Sequence, residues 1–337
     1  MIIVFCNVYE EITKNNYLFN NPNVSIGDNL LQPWIDLKAY AEGHGIKVST
    51  PDLVDMASVD AFFFIDMPDL NNKYFKFAIN NNKSIYLLIV ENGLIHSGNF
   101  DLSKHKYFKK IFTYYDDYID NNKYFKINYS FKLPSQINKD ISVKEKLCTM
   151  IAGNKSLKSA LELYSERIKA IRWFGKNHPK DFDLYGFGWD DYPSSNSLFV
   201  KLFNKMRKKI MPPFPSYKGT VKRKNDVLLK YKFSICYENA RDISGYITEK
   251  IFDCFFSACV PIYLGADNVT EYIPSECFID KRKFNSYDSL YAFISNIRDD
   301  KYVNYLNSIE KFLNSNAAYQ FSNEYFVKTL IKEIANR

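Results

Sequence analysis

The sequence predicts an α/β protein in which two doubly wound, Rossmann-like domains face each other across a cleft. The chain has 337 residues, which favours two domains over one. Short continuous apolar runs alternate with helical segments, and this alternation occurs twice, on either side of a polar stretch at residues 120–140. Because unbroken apolar runs are typical of strands buried on both faces of a parallel sheet, each half is expected to be doubly wound.

The first half, residues 1–142, is predicted to form one domain. It begins with a strand at 2–8 and a helix at 30–42, in which Pro33 falls in the first turn, where a missing N–H is tolerated. Further apolar runs predict strands at 61–66, 84–90 and 109–115.

The second half, residues 143–318, repeats the pattern, and residues 319–337 form a C-terminal helical segment. Its helix is predicted at 323–335, with Ser322 as the N-cap. The other predicted elements are strands at 146–152, 182–185, 233–237, 260–264 and 277–280, and helices at 159–177 and 248–258. Ligands of doubly wound sheets bind at the carboxyl ends of the strands, so the cleft is expected there.

Composition indicates a soluble globular protein with a large core, since 46% of the residues are hydrophobic and 25% are charged. The six cysteines form no C-x-x-C and are expected to be buried free thiols of a reducing compartment. No apolar run reaches the length of a membrane span, and the first residues lack the features of a signal peptide. These observations predict a cytoplasmic protein.

One segment supplies the whole basic character of the chain. Residues 198–232 contain eleven Lys or Arg and one acid, a net charge of +10. Since the whole chain has a net charge of +7, the remaining residues together carry −3. The part before Pro212 and Pro213 predicts a basic amphipathic helix. This helix could lie on an anionic membrane, bind an acidic glycan, or pack on its own domain; no nucleic-acid partner is expected, since no reading motif accompanies it.

Polar residues fill the gap between a predicted strand and the next predicted helix. Glu238 and Asn239 follow the strand, and Thr248, Glu249 and Lys250 begin the helix. A cation in the first turn of a helix opposes the helix dipole, which is acceptable where a bound anion neutralises both. The segment therefore suggests a diphosphate site, although Glu249 could simply complement the dipole while Lys250 extends into solvent.

The segment FSICYEN…GYITEKIFDCFFSACVPIYLGA, followed by NVTEYIPSECFI, resembles the signature region of the family 10 glycosyltransferases, the α1,3/4-fucosyltransferases. LLIVENG, LCTMIAGNKS, YSERIKAI and DLYGFGW extend the resemblance over residues 85–315, most weakly at 198–216. There are departures from the family pattern. Asn92 and Gly93 replace Ser-Pro, Ala240 stands where Ser is common, and residues 281–283 are basic where the family is more acidic.

The resemblance implies a GT-B enzyme that transfers L-fucose from GDP-fucose to a glycan hydroxyl with inversion. The first domain would bind the acceptor and the second the donor. The resemblance implies Glu91 as the base, with Arg167 and Lys250 stabilising the departing diphosphate. The implied GDP-fucose contacts are Glu238, Asn239, Tyr246, Thr248, Glu249, Lys250, Arg167 and Asn154. The acceptor would be a GlcNAc-containing or surface polysaccharide glycan linked α1,3, as in protein glycosylation or polysaccharide biosynthesis.

The residues alone leave alternatives to these roles. Glu91 could begin a solvated loop, Arg167 could pair with Glu162, Glu166 or Asp181 on the surface, and Glu238 could hold loop N–H groups. The chain could also transfer another nucleotide sugar, or be a noncatalytic glycan- or membrane-binding protein on the same fold.

A metal is not required by this interpretation. Asp181, Phe182 and Asp183 fit the loose D-x-D pattern that holds Mn²⁺ in other transferases, but they lead into a predicted strand. Lys, Arg and a helix terminus would neutralise the diphosphate charge in place of a metal, so no metal ligands are assigned. A loosely bound divalent cation such as Mn²⁺ or Mg²⁺ is still compatible with this interpretation.

Overall fold

The computed structural model describes residues 1–8, 10–22, 29–190 and 213–335, which contain two parallel sheets. Strands of the first half pair in the order β2-β1-β3-β4-β5-β6. All of these pairs are parallel. The strands are β1 Ile2–Asn7, β2 Lys47–Ser49, β3 Ala61–Ile65, β4 Ser84–Ile89, β5 Lys110–Thr113 and β6 Tyr124–Lys126.

The second sheet has the order β8-β7-β9-β10-β11 and is also parallel throughout. Its strands are β7 Lys146–Ile151, β8 Phe182–Tyr185, β9 Tyr231–Tyr237, β10 Val260–Leu264 and β11 Ile279–Asp280. In each sheet the first strand is flanked by the second on one side and the third on the other. The chain therefore changes direction across the sheet between β1 and β3, and again between β7 and β9, and a crevice opens at the carboxyl ends of such strands.

Helices cover the two sheets and connect their strands. The first half contains α1 Tyr17–Asn20, α2 Gln32–Gly43, α3 Lys73–Asn80 and α4 Leu102–His105. The second half contains α5 Tyr164–Asn177, α6 Lys224–Leu228, α7 Glu249–Phe256, α8 Val269–Tyr272, α9 Tyr287–Ser295, α10 Asp299–Leu313, α11 Asn316–Tyr319 and α12 Asn323–Ala335.

Each sheet has its own hydrophobic core. Two clusters of buried side chains cover the two faces of the first sheet, and a larger cluster encloses the second. The last helix, α12, returns to the first half, where Phe326 packs edge-on against Trp34 with ring centroids 5.3 Å apart. Ser322 caps this helix, as predicted, because its Oγ accepts the N–H of Tyr325 at 3.1 Å.

The predicted α/β architecture of two doubly wound sheets is confirmed. The short strands β2 and β6 were not predicted, because three residues are too few to show an apolar pattern that indicates a strand. The helix predicted from residue 159 begins at Tyr164, and the strand predicted at 277–280 is confined to Ile279–Asp280. The boundary placed at 142/143 falls between β6 and β7 and stays a prediction.

The predicted basic amphipathic helix before Pro213 lies outside the described residues. In the described ranges, no helix combines the length and apolar character that crossing a bilayer requires.

Candidate functional site

A cleft of about 550 Å³ lies between the two halves, at the carboxyl ends of both sheets. Its first wall follows the ends of β3, β4 and β5 and includes Asp66, Glu91 and Tyr114. Its second wall follows the ends of β7, β8 and β9 and the start of α7. Among the predicted site residues, those that line it are Glu91, Arg167, Asn239, Tyr246, Thr248, Glu249 and Lys250.

The start of α7 is fixed by a buried carboxylate. Glu238 is fully buried and accepts two hydrogen bonds from Thr248, from the backbone N–H at 2.9 Å and from the hydroxyl at 2.7 Å. Thr248 is the N-cap of α7 and its Oγ accepts the N–H of Lys250. Glu238 therefore lies behind Thr248 rather than in the cleft wall, and the geometry supports the alternative in which this residue holds the loop.

Lys250 projects from the first turn of α7 into an acidic environment. Its Nζ lies 3.3 Å from Glu238 Oε2 and 3.4 Å from Glu249 Oε1, and it donates to Thr248 Oγ at 3.0 Å. Burial disfavours the ammonium charge, but Glu249 and Glu238 outweigh burial and raise the pKa of Lys250. The side chain is thus a permanent cation, held at a helix N-terminus where backbone N–H groups also favour an anion.

A second lysine, which the sequence analysis did not single out, joins this cluster. Lys224 Nζ at the start of α6 lies 2.7 Å from Asp253 Oδ2 and 3.9 Å from Glu249 Oε1. Burial would raise the pKa of Glu249, but Lys250 and Lys224 lower it to about 2. Burial raises the pKa of Asp253 to about 7, although Lys224 opposes this shift.

Arg167 on α5 lies beneath the end of β9 and is only 4% exposed. One guanidinium nitrogen donates to the carbonyls of Tyr237 and Glu238 at 2.7 and 2.8 Å and to Asn239 Oδ1 at 3.0 Å. The surface ion pairs considered for Arg167 do not form, because Glu166 instead bonds Lys169 and Tyr287. In the described part of the chain no carboxylate lies within ion-pair distance of Arg167, which leaves a buried cation at the cleft able to bind an anion.

Glu91 faces this cation cluster from the end of β4. Burial raises the pKa of Glu91, and Asp66 and Glu249 raise it further, while Lys250 opposes them. Asp66 accepts the backbone N–H groups of Val90 and Glu91 at 2.8 and 3.0 Å, so it fixes the turn that carries Glu91. Asn99 donates to both Asp66 Oδ1 and the carbonyl of Glu91, at 2.7 and 2.9 Å.

The sequence analysis did not predict Asp66 or Asn99 as residues of the site. Asp66 is 3% exposed and has a φ of +63°, a left-handed conformation that is uncommon outside glycine. A carboxylate at the end of an apolar run gives no sign in the sequence of which backbone groups it will bind.

Aromatic side chains of the two halves pack against each other beside the cleft. The buried ring of Tyr246 lies 5.1 Å from that of Tyr114, at the end of β5, and 6.5 Å from that of Tyr129. The cleft is therefore bounded by aromatic rings next to Glu91 and by charged groups deeper in the second half.

Asn154 does not line the cleft, in contrast to the contact role assigned to it. Its Nδ2 donates to the carbonyl of Gly188 at 2.8 Å, and its backbone N–H donates to the carbonyl of Phe187 at 3.0 Å. The side chain thus holds the turn that follows β8.

The D-x-D residues are engaged in other interactions. Asp183 Oδ2 accepts from Lys146 Nζ at 2.7 Å and from the hydroxyl of Tyr231 at 2.6 Å, and Asp181 accepts from the hydroxyl of Tyr291 at 2.6 Å. Over the described residues, no three His, Cys, Asp or Glu side chains converge as metal ligands.

Two doubly wound sheets whose carboxyl edges face each other across a cleft define the GT-B fold. A solved α1,3-fucosyltransferase in complex with GDP-fucose has this fold as well: it matches with a TM-score of 0.56 and 16% identity, over 100% of this chain and 90% of that one.

Part of the chain is similar in sequence to fucosyltransferases. Residues 195–330 match the family described as glycosyltransferase family 10 (fucosyltransferase) C-term. An alpha-(1,3)-fucosyltransferase of Helicobacter pylori is 34% identical over 117 residues, 33% of this chain and 23% of the relative. An alpha-(1,4)-fucosyltransferase of Arabidopsis thaliana is 41% identical over 70 residues, 21% of this chain and 17% of the relative. The family match covers residues 195–330 of this chain, and the chain spans less than a quarter of the length of these two relatives.

Proposed function

We propose that this protein transfers L-fucose from GDP-fucose to a hydroxyl group of a glycan, with inversion at the sugar carbon. The observation that carries the proposal is the placement of Lys250 and Arg167 on one wall of the cleft and Glu91 on the other. Such a reaction needs a base for the acceptor hydroxyl and fixed positive charge for the leaving diphosphate.

The second half would bind the nucleotide sugar. The diphosphate would lie at the N-terminus of α7, between Lys250 and Arg167, where backbone N–H groups and two cations meet. Arg167 is already held by the carbonyls at the end of β9, so little reorganisation accompanies the build-up of charge on the leaving group. Glu249, ionised because its pKa is about 2, would accept hydrogen bonds from sugar hydroxyls.

The first half would bind the acceptor beside Glu91. The raised pKa of Glu91 makes it a stronger base than an exposed carboxylate, and the positive charge of the nearby Lys250 limits this rise. The acceptor hydroxyl would lose its proton to Glu91 as its oxygen attacks the fucose carbon. The bond to the diphosphate breaks on the opposite face, which gives inversion.

Three further features belong to the proposal. The acceptor is a GlcNAc-containing glycan or surface polysaccharide, linked α1,3. The reaction proceeds without a divalent metal, because Lys250 and Arg167 neutralise the leaving group. The protein works in the cytoplasm, and its basic segment, residues 198–232, attracts it to anionic membrane surfaces.

Calorimetric titration without added metal tests the donor site. GDP-fucose, GDP-mannose, UDP-galactose and GDP are titrated into the wild type, Lys250→Ala and Lys332→Ala. Lys332 is an exposed lysine of α12 that does not line the cleft, and it serves as the matched control. The wild type should prefer guanine nucleotides, and Lys250→Ala should bind GDP about ten-fold more weakly, a loss of about 1.4 kcal/mol.

A cleft that shows no preference for guanine would contradict GDP-fucose as the donor. If both lysine variants bind like the wild type, the start of α7 is scaffold rather than a binding site. Loss of GDP-fucose hydrolysis in Glu91→Gln with unchanged GDP affinity would support the role of Glu91 as the base.

A further inference from the structure

The turn after β8 presents one large apolar side chain to the cleft. Phe187 stands between Gly186 and Gly188, lines the cleft, and is 56% exposed. Both glycines have positive φ, +125° and +79°. A Cβ on Gly186 would lie 1.9 Å from the carbonyl oxygen of Ala152, so the turn is pressed against the end of β7.

The backbone of this turn is held on several sides. The hydroxyl of Tyr217 donates to the carbonyl of Gly186 at 2.7 Å, and Asn154 bonds the carbonyls of both Phe187 and Gly188. The N–H of Gly186 donates to the carbonyl of Gly219 at 3.0 Å. A turn fixed in this way around a single exposed phenylalanine is a preorganised surface rather than a loose loop.

One side of the Phe187 ring is covered and the rest is open to the cleft. A Cβ placed on Gly153 would lie 2.6 Å from the ring, so the ring rests directly on the backbone after β7. A larger residue at position 153 would displace the ring from this position. The free surface of the ring can accept a flat partner by stacking.

We propose that Phe187 is the stacking platform for the purine base of the nucleotide sugar. This inference rests on the proposed function. Phe187 belongs to the same half as Lys250 and Arg167, at β8, two strands from β9. Neighbouring strands lie about 4.8 Å apart, so β8 and β9 are separated by about 10 Å, a gap that a ribose and its phosphate can bridge.

The placement also gives Asn154 a function. Asn154 acts on the base through the turn it holds, so it is a positioning residue rather than a direct contact. The acceptor, by contrast, would approach from the first half beside Glu91, away from this platform.

Calorimetry with two probes tests the platform. GDP carries the base, whereas inorganic pyrophosphate carries only the charge. Both are titrated into the wild type, Phe187→Ala, Phe187→Tyr and Phe293→Ala, the last being an exposed phenylalanine of α9 outside the cleft. Because stacking of a base on an aromatic ring contributes about 1–3 kcal/mol, Phe187→Ala should weaken GDP binding by about ten-fold.

Pyrophosphate binding should be unchanged in Phe187→Ala, and Phe187→Tyr and Phe293→Ala should bind GDP like the wild type. If Phe187→Ala binds GDP normally, the platform is overturned while the donor site stands. If GDP and pyrophosphate weaken equally, the ring supports the fold and the platform is again overturned. A wild type that binds no GDP overturns both the platform and the proposed function.

Discussion

Asp66 affects Glu91 both through the backbone and through its charge. It accepts the N–H of Glu91 and lies close enough that its like charge raises the pKa of the Glu91 carboxyl. Neither effect involves contact with a substrate. Burial contributes most to the raised pKa of Glu91, and Asp66, which sits 25 positions earlier in the chain, raises it further.

Asp66→Asn should shift the pH dependence of fucosyl transfer toward acid. Glu91 must be deprotonated to act, so activity falls as pH drops through its pKa. The asparagine keeps an oxygen acceptor for the backbone but removes the like charge, so the pKa of Glu91 decreases. The acid limb of kcat/KM should move down by on the order of half to one pH unit.

The control for this variant is Asp69→Asn, an exposed aspartate of the loop after β3. An acid limb that stays in place in Asp66→Asn would mean that Asp66 acts through the backbone alone.

At the scale of elements, two helices meet at the proposed diphosphate site. Lys224 begins α6 and Asp253 lies in the second turn of α7, and their ion pair joins the two helices beside the cleft. Since burial raises the pKa of Asp253 to about 7, the charge balance between these helices changes near neutral pH. Lys224 keeps its charge throughout, because Asp253 and Glu249 raise its pKa against the effect of burial.

GDP-fucose should bind more tightly as pH falls through about 7. Protonation of Asp253 removes a negative charge next to the site and frees Lys224 for the diphosphate. We expect a gain of about five-fold, and none in Asp253→Asn, which should bind like the protonated wild type at all pH values. GDP-fucose is the appropriate ligand because its diphosphate is esterified at both ends. Tighter binding at alkaline pH would contradict this sign.

Most of the strands and helices could be predicted from the sequence, whereas the contacts among the charged side chains at the cleft could not. Apolar runs located β1, β3, β4 and β9, and the position of Lys250 after Thr248 indicated a cation at a helix start. Arg167 could not be assigned in the same way, since its partners are backbone carbonyls 70 or more residues away. Lys224 and Asp253 likewise pair only because α6 packs on α7.

At the scale of the whole molecule, a polar cluster joins the two halves next to the cleft. Asp116, after β5, accepts from Lys126 at the end of β6 and from Asn268 and Tyr272 of the second half. Burial opposes ionisation of Asp116, but these hydrogen bonds outweigh it and lower its pKa. Gly245 fits beside this cluster with a φ of +78°, and a Cβ there would lie 2.2 Å from the carbonyl oxygen of Tyr114.

Weakening this junction should reduce transfer more than donor binding. In the double variant Asn268→Ala, Tyr272→Phe, the donor residues of the second half remain intact, but Glu91 of the first half loses its fixed position opposite them. The transfer rate should fall by about ten-fold or more, since small misplacements of reacting groups are costly, while GDP affinity is unchanged.

Tyr319→Phe, which alters an exposed tyrosine of α11, should behave like the wild type. Equal losses of GDP affinity and transfer in the double variant would show that the junction supports the donor site itself.

The chain crosses between its halves twice, before β7 and again before α12, and the two crossings are bonded side by side. The N–H of Phe131 donates to the carbonyl of Phe321 at 2.8 Å, and the N–H of Asn323 donates to the carbonyl of Phe131 at 3.0 Å. Two crossing segments that are hydrogen-bonded to each other are expected to bend together out of the plane they share, and to resist bending within that plane. If the cleft widens, the two halves are therefore expected to rotate about a single hinge axis at these paired segments.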